Sequence, residues 1–443
     1  MKKFIETVRN IFSIEDLRIR ILNTLGFLII FRLGSFVVLP GVDPSTIDST
    51  SPQNNILGLL DTLVGGAFSN VSIFALGIMP YISASIVLQL LTFAVPYFQK
   101  LQKEGESGRK KINQYTRILT IFICGFQSIG YLAASVKPEM LIPGMDTAFF
   151  NVARVLILIS GTMFCMWIGE KITDKGIGNG ISMLIMVGII SRFPHAIFIE
   201  GYTKGMKGAL PFVLELVALF FVVAGVVMLT QATRKIPVQY AKQVVGNKVY
   251  GGQRQYIPLK IIAAGVMPII FAQSIMFLPA MLASLFSETS DLASSIGATF
   301  SDFTSWQYNL VFAILIILFT FFYTALSVNP KQISDDMKRN GGFVPGVKPG
   351  DQTSEFIDGI LSRITLPGSI FLATVAILPA IANLAGITRE FSYFYGGTSL
   401  LITVGVVLDT LQQIESYLLM RHYEGMMKSG RIKGRSQDVA IAS

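Results

Sequence analysis

Residues 307–328 read QYNLVFAILIILFTFFYTALSV, and no charge interrupts them. A bilayer core of about 30 Å takes roughly 20 mostly apolar residues as a helix. The run is apolar on every face, which excludes the alternation of a half-buried strand. Lipid offers no partner to an open backbone, so the stretch predicts a membrane-spanning α-helix. Residues 71–99 and 261–287 are equally free of charge.

The whole chain has this character. Of its 443 residues 52% are hydrophobic and 14% charged, against roughly 25% charged in an average soluble domain. So few charges cannot cover a soluble surface, and disorder needs the opposite balance. Weaker segments bring the predicted spans to ten, near 21–39, 72–95, 116–135, 151–169, 180–199, 211–231, 260–285, 307–328, 366–385 and 396–418. The fold class is an all-α polytopic membrane protein. Residues 1–20 (MKKFIETVRNIFSIEDLRIR) mix charges amphipathically and lack a cleavage site, so they read as an interfacial helix.

Lys and Arg set the orientation. With a cytoplasmic N-terminus, 29 of the 36 basic residues fall on the cytoplasmic side, 6 outside, and Arg32 within the first span. Both termini are therefore expected inside. Two inner loops, 232–259 and 329–365, are long and basic. The first alternates and carries a Gly-Gly turn, which suggests a protruding hairpin. Such loops serve as topogenic signals or lipid contacts, or as a docking face for an acidic partner such as RNA.

Catalytic signatures are missing. Arg32, Glu215 and Asp409 are the main ionisable groups at membrane depth, and one isolated acid does not make a relay. No HExxH helix and no GxxxxGK[ST] loop occurs. Two cysteines and two histidines make neither a disulfide framework nor a His-built metal site. No metal, cofactor or enzymatic activity is expected. The run Lys175-Gly176-Ile177-Gly178-Asn179-Gly180 reads as a tight turn into the fifth span rather than a phosphate loop. Residues 55–70 (NILGLLDTLVGGAFSN) are apolar, Gly-rich and too short to cross. They suit either a helix folding back into the protein or one resting on the membrane surface.

Six strings resemble the SecY family of protein-conducting channels, in the family's order. They are NVSIFALGIMPYISASIVLQLL (70–91), KEGESGRKKINQYTR (103–117), GIGNGIS (176–182), GVMPIIFAQSIMFLPA (265–280), NGGFVPGVKPGDQT (340–353) and GGTSLLI (396–402). The resemblance covers essentially the whole chain. It implies two inverted pseudo-symmetric five-helix halves around a central pore, 21–200 and 201–418, and a cytoplasmic tail over 419–443.

Site residues follow from the same resemblance. An apolar pore ring would comprise Ile78, Ile82, Ile181, Ile185, Ile270 and Ile402, of which two pairs share an i,i+4 helix face. Residues 55–70 would be the plug, with Leu57, Leu60, Asp61, Leu63, Val64, Gly65 and Gly66. Ser83, Gln89, Gln127, Gln273, Ser274 and Leu278 would line a lateral gate opening to the lipid bilayer. Arg234, Lys235, Lys242, Lys248, Arg254 and Lys348 would dock the ribosome and the SecA motor ATPase. Lys348 stands where the family usually has Arg, which keeps the charge but loses the bidentate fork. Small SecE-type and SecG-type subunits and signal-bearing nascent chains would be the other partners, in a bacterial plasma membrane. A secondary transporter of a small solute is the competing reading, and it needs a midplane polar site.

Overall fold

The computed structural model describes residues 14–44, 61, 63–136, 140–142, 148–205, 208–240, 243–245, 248–250, 254–286, 299–300 and 302–428. The long helices are α1 (Glu15–Gly34), α2 (Met79–Ala94), the short α3 (Pro96–Lys103), α4 (Glu106–Ser135), α5 (Ala148–Lys175), α6 (Gly180–Lys204) and α7 (Ala209–Gln231). Four strands follow, β1 (Thr233–Tyr240), β2 (Gln243–Val245), β3 (Lys248–Tyr250) and β4 (Arg254–Lys260). Next come α8 (Met267–Phe286), α9 (Trp306–Ser327), α10 (Pro330–Arg339), β5 (Gly342–Phe343), α11 (Asp351–Leu384), α12 (Arg389–Ser392) and α13 (Gly397–Lys428).

Among the described residues seven helices are long and apolar enough to cross a bilayer, and the bent pair α2–α3 supplies an eighth. Helices α1 and α8 stand at the two remaining predicted spans. α1 carries Glu15, Asp16, Arg18, Arg20 and Arg32, which lower its apolar character. The protein is thus a polytopic helical membrane protein, in keeping with ten spans.

Several spans depart from their predicted limits. Helix α1 begins at Glu15, so it takes in the end of the predicted interfacial segment. The second span is helical only from Met79, after the backbone has passed through positive φ at Gly65, Gly66, Val71 and Gly77. It breaks again at Val95, extended at φ −110° and ψ 120°, because the following Pro96 disfavours helical geometry before it. The predicted ninth span, 366–385, is the C-terminal part of α11, which starts 15 residues earlier.

The two basic loops build one structure. Strands β1 and β4 pair antiparallel from Thr233↔Lys260 to Gln239↔Arg254, and Val245↔Lys248 closes the inner pair β2–β3. The ladder closes at Val245↔Lys248, and Gly251-Gly252, the turn expected from the sequence, lies outside the described residues. The second loop joins through β5, where Gln239 pairs with Phe343 and Tyr240 with Gly342. Alternate β1 residues Ile236 and Val238 point to one face. There they meet Leu259, Met337, Val344, Ile357 and Leu361 in a common core.

The chain divides into two compact units. One contains Met1–Ser51, Leu63–Ile190 and Val406–Ser443, and the other Pro52–Thr62 and Ser191–Gly405. In the first, α2 packs on α4, α4 on α5, and α1 on α5. In the second, α8 packs on α9, α9 on α11, and the sheet lies with α10 and the start of α11.

Ile357 is 1% exposed where α11 enters the sheet core. Ile357→Ala should cost about 2–4 kcal/mol there. The expected outcome is faster limited proteolysis within 233–260 while the membrane-embedded part keeps its helicity by circular dichroism.

Candidate functional site

Residues 63–78 are apolar yet not regularly helical, so their backbone groups need partners from outside the segment. α1 and the chain after it supply several. Arg32 donates from Nη1 to Gly65 O at 2.6 Å. The Leu39 N–H donates to Val71 O and the Ile73 N–H to Val37 O, both at 2.9 Å. From α4, Tyr131 donates its hydroxyl to Phe68 O at 2.7 Å, and the two rings meet edge-to-face at 4.6 Å.

Glycine makes the fit possible. Gly65 sits at φ +70°, where L side chains are strained, and a Cβ there would lie 2.7 Å from Gly188 Cα on α6. A Cβ on Gly188 would in turn lie 2.7 Å from Leu63 O. Leu63, Val64, Gly65, Gly66, Ala67 and Phe68 are all buried. Of the plug residues named from the sequence, these first four are buried within the first unit. Leu57 and Leu60 lie outside the described residues. Asp61 is 4% exposed and forms an ion pair with Arg192 of α6 inside the second unit.

The six isoleucines occupy helix starts. Ile78 is the N-cap of α2 and Ile82 lies one turn on. Ile181 and Ile185 fall in the first two turns of α6, Ile270 in the first turn of α8, and Ile402 in the second turn of α13. Ile78, Ile82 and Ile402 are buried, while Ile181, Ile185 and Ile270 are half-buried. Four belong to the first unit, and Ile270 and Ile402 to the second. Within the first unit Ile181 packs over Gly169 of α5.

The gate residues fall on α2, α4 and α8. Ser83 donates to Met79 O at 3.2 Å and Gln89 donates to Ser85 Oγ at 3.3 Å, both within α2. Gln127 is half-buried on α4. Gln273 is buried on α8, and Ser274 donates to Ile270 O at 2.9 Å. Leu278 is on α8, described by its backbone alone.

The docking residues share the sheet region. Arg234 and Lys235 are exposed on β1, and Lys348 is exposed before α11. The Lys348 carbonyl accepts from the Thr353 hydroxyl at 2.8 Å, and Gly350 O from the Ser334 hydroxyl at 2.6 Å, which fixes that turn. Backbone pairing sets Lys248 opposite Val245 and Arg254 opposite Gln239. Lys242 lies outside the described residues.

The Gly-rich run is a turn, as read from the sequence. Its N–H groups are already engaged: Gly178 with Gln413 Oε1 and Gly180 with Thr173 Oγ1, each at 2.9 Å. Asn179 caps α6 by accepting from Ile181 and Ser182. No group of three or more His, Cys, Asp or Glu able to hold a metal occurs among the described residues.

Charge placement brought corrections. Asp409, named above among the groups at membrane depth, is exposed, and Glu215 is paired with Lys204. Arg154, one of the six basic residues assigned to the outer side from the sequence, is 1% exposed on α5 and donates to Pro40 O at 3.2 Å and to Asn151 Oδ1 at 2.8 Å. Its i,i+3 spacing from Asn151 was the available signal. Glu200 was missed altogether. It is fully buried on α6, contacts Lys204, and accepts from the backbone N–H and hydroxyl of Thr388.

The SecY family profile matches residues 72–411. Over 94% of this chain and 98% of its own length, the protein translocase subunit SecY of Streptomyces scabiei is 42% identical. That of Thermotoga maritima is 39% identical over 97% and 99% of the two chains. That of Halalkalibacterium halodurans is 43% identical over 95% and 99%. A solved structure described as a protein conducting channel shares the fold at TM-score 0.62 and 15% identity, covering 90% of this chain and 92% of its own. Sec61 in the canine ribosome-channel complex shares it at TM-score 0.58 and 15% identity, with the same coverage. The architecture and these relatives lead to one conclusion: the chain belongs to the SecY family.

Proposed function

We propose that this chain is the channel-forming subunit of a plasma-membrane Sec translocase, passing secretory proteins across the membrane and membrane proteins into it. The observation that carries the reading is the family match along nearly the whole chain. The buried segment 63–78 supports it, since a pore that must stay closed between substrates needs an internal seal.

The chemistry is physical rather than covalent. A ring of Ile78, Ile82, Ile181, Ile185, Ile270 and Ile402 dewets a narrow neck, resists ions, and parts around a polypeptide without chemical preference. Residues 55–70 close the outer funnel and move aside when the neck opens. At the gate lined by Ser83, Gln89, Gln127, Gln273, Ser274 and Leu278, a signal sequence partitions to lipid by its transfer free energy. A central Leu or Ile gains about 0.6 kcal/mol and a charged residue costs about 3. No general base is needed, and the chain acts without enzymatic activity of its own. The basic sheet built from 232–259 and 329–365 takes the ribosome and the SecA motor, through Arg234, Lys235, Lys242, Lys248, Arg254 and Lys348. SecE-type and SecG-type subunits complete the complex, with both termini in the cytoplasm. The division at residue 200 into two five-helix halves is part of this reading.

A secretory chain stalled in transit should crosslink to probes at residues 82 and 402; crosslinks confined to lipid-facing positions would count against the channel. Ile402→Ser should wet the neck, raising ion leakage of proteoliposomes and admitting substrates with defective signals.

The Asp61–Arg192 pair holds the start of the plug. Asp61→Asn should weaken closure by roughly 1–3 kcal/mol, between the worth of exposed and buried pairs. The measurement is resting ion conductance, which should rise, and the double swap Asp61→Arg with Arg192→Asp should restore the seal. Reversing the docking charges with Arg234→Glu and Lys235→Glu should weaken ribosome binding, most visibly at low salt. Membrane insertion of the variant should stay unchanged.

A further inference from the structure

A small cavity lies inside the second unit, behind the start of α8. Its polar wall is made by Gln273, Tyr308, Asn309, Tyr393, Thr398 and Ser399. It offers ≈ 20 Å³ to the centre of a water molecule.

Two of the wall groups are anomalous. Tyr393 is 5% exposed and Thr398 3% exposed, and neither the Tyr393 Oη nor the Thr398 Oγ1 finds a hydrogen-bond partner among the described residues. An unpaired buried hydroxyl is destabilising, so two in the lining of one cavity call for a partner. Burial pushes the Tyr393 phenol up to about 12. It therefore keeps its proton throughout the physiological range and can donate as well as accept. The Thr398 hydroxyl has the same double capacity. Asn309 commits its side-chain nitrogen to Phe303 O and Ser305 O, both at 2.8 Å, which leaves its Oδ1 as the acceptor of that amide. Gln273, also buried, brings both a donor and an acceptor.

A water needs about 10–15 Å³ of room for its centre and two to four polar partners, whereas apolar cavities stay dry. This cavity meets both requirements. We infer that it is a binding site for one ordered water, held by Tyr393 Oη and Thr398 Oγ1 and completed by the side-chain amides of Gln273 and Asn309. The ligand joins four pieces of chain: α8 through Gln273, α9 through Asn309, the segment after α12 through Tyr393, and α13 through Thr398. That the joint stands behind a gate helix rests on the transport reading, but the water site itself does not.

The test reads thermal unfolding of the full chain, purified in mild detergent with whatever subunits accompany it. Thr398→Val keeps the shape and removes the hydroxyl; Thr398→Ser keeps the hydroxyl and removes a methyl. With water bound, Thr398→Val should lower Tm by roughly 2 °C or more, and Thr398→Ser should lower it less. Tyr393→Phe should lower it as Thr398→Val does. In a dry cavity the order inverts: deleting an unpaired hydroxyl leaves Tm unchanged or raises it, and Thr398→Ser is the weakest of the three. That inverted order overturns the inference. A density map fine enough to show ordered water gives the second readout, independent of variant folding. A peak within hydrogen-bond distance of both oxygens is expected, and an empty site in such a map overturns the inference equally. Neither measurement involves protein transport, so its outcome is separate from that of the channel reading.

Discussion

A backbone amide at membrane depth has to find its partner inside the protein. Regular helices meet that demand with their own residues, and most of this chain does so. Residues 63–78 do not, and the first unit is arranged around that exception. The Gly65 carbonyl takes a guanidinium N–H from Arg32, the Phe68 carbonyl takes a phenol from Tyr131, and Val71 and Ile73 exchange bonds with the chain after α1. Arg32, an oddity in an apolar span, is explained by the carbonyl it reaches. Its charge makes that bond stronger than a neutral one.

Close approach is the other half of the arrangement. Gly65 and Gly188 let two backbones meet where any side chain would collide. At such a contact many weak dispersion interactions accumulate over a small area. The segment is thus seated by fit and by a few directed bonds, with apolar Leu63, Val64 and Phe68 filling the remaining space. The second unit has its own ionic cluster, in which Glu200, Lys204 and Glu215 fasten α6 to α7 and Thr388 ties in the chain before α12.

What was legible in the sequence was local. Uncharged runs of spanning length gave the helices, alternation in the first basic loop gave strands, and the Gly-rich run 175–180 marked a turn. Each signal lies within a few residues of the feature it reports. The pairing of Gln239 with Phe343 joins residues about a hundred apart, and neither strand carries a mark of its partner. The union of the two basic loops was therefore invisible, although each was recognised as long and basic. Arg154 and Glu200 failed for a related reason. A charge near a span end looks solvated until the partner that buries it, the Pro40 carbonyl for Arg154 or the Thr388 donors for Glu200, is brought up by the fold. The six isoleucines were named through family resemblance, because an isoleucine in an apolar helix has no local feature separating a pore lining from a lipid face.

Helix α11 begins in the sheet core, where Ile357 and Leu361 are buried, and runs without a break to Leu384. At 1.5 Å per residue its 34 residues extend about 51 Å. A rod of that length, rooted at one end, conveys displacement along its axis instead of absorbing it. Pro367 and Pro379 each remove one backbone hydrogen bond from its interior and mark where it yields. Load placed on the sheet therefore travels stiffly as far as Pro367, and beyond that point the rod turns push into bend.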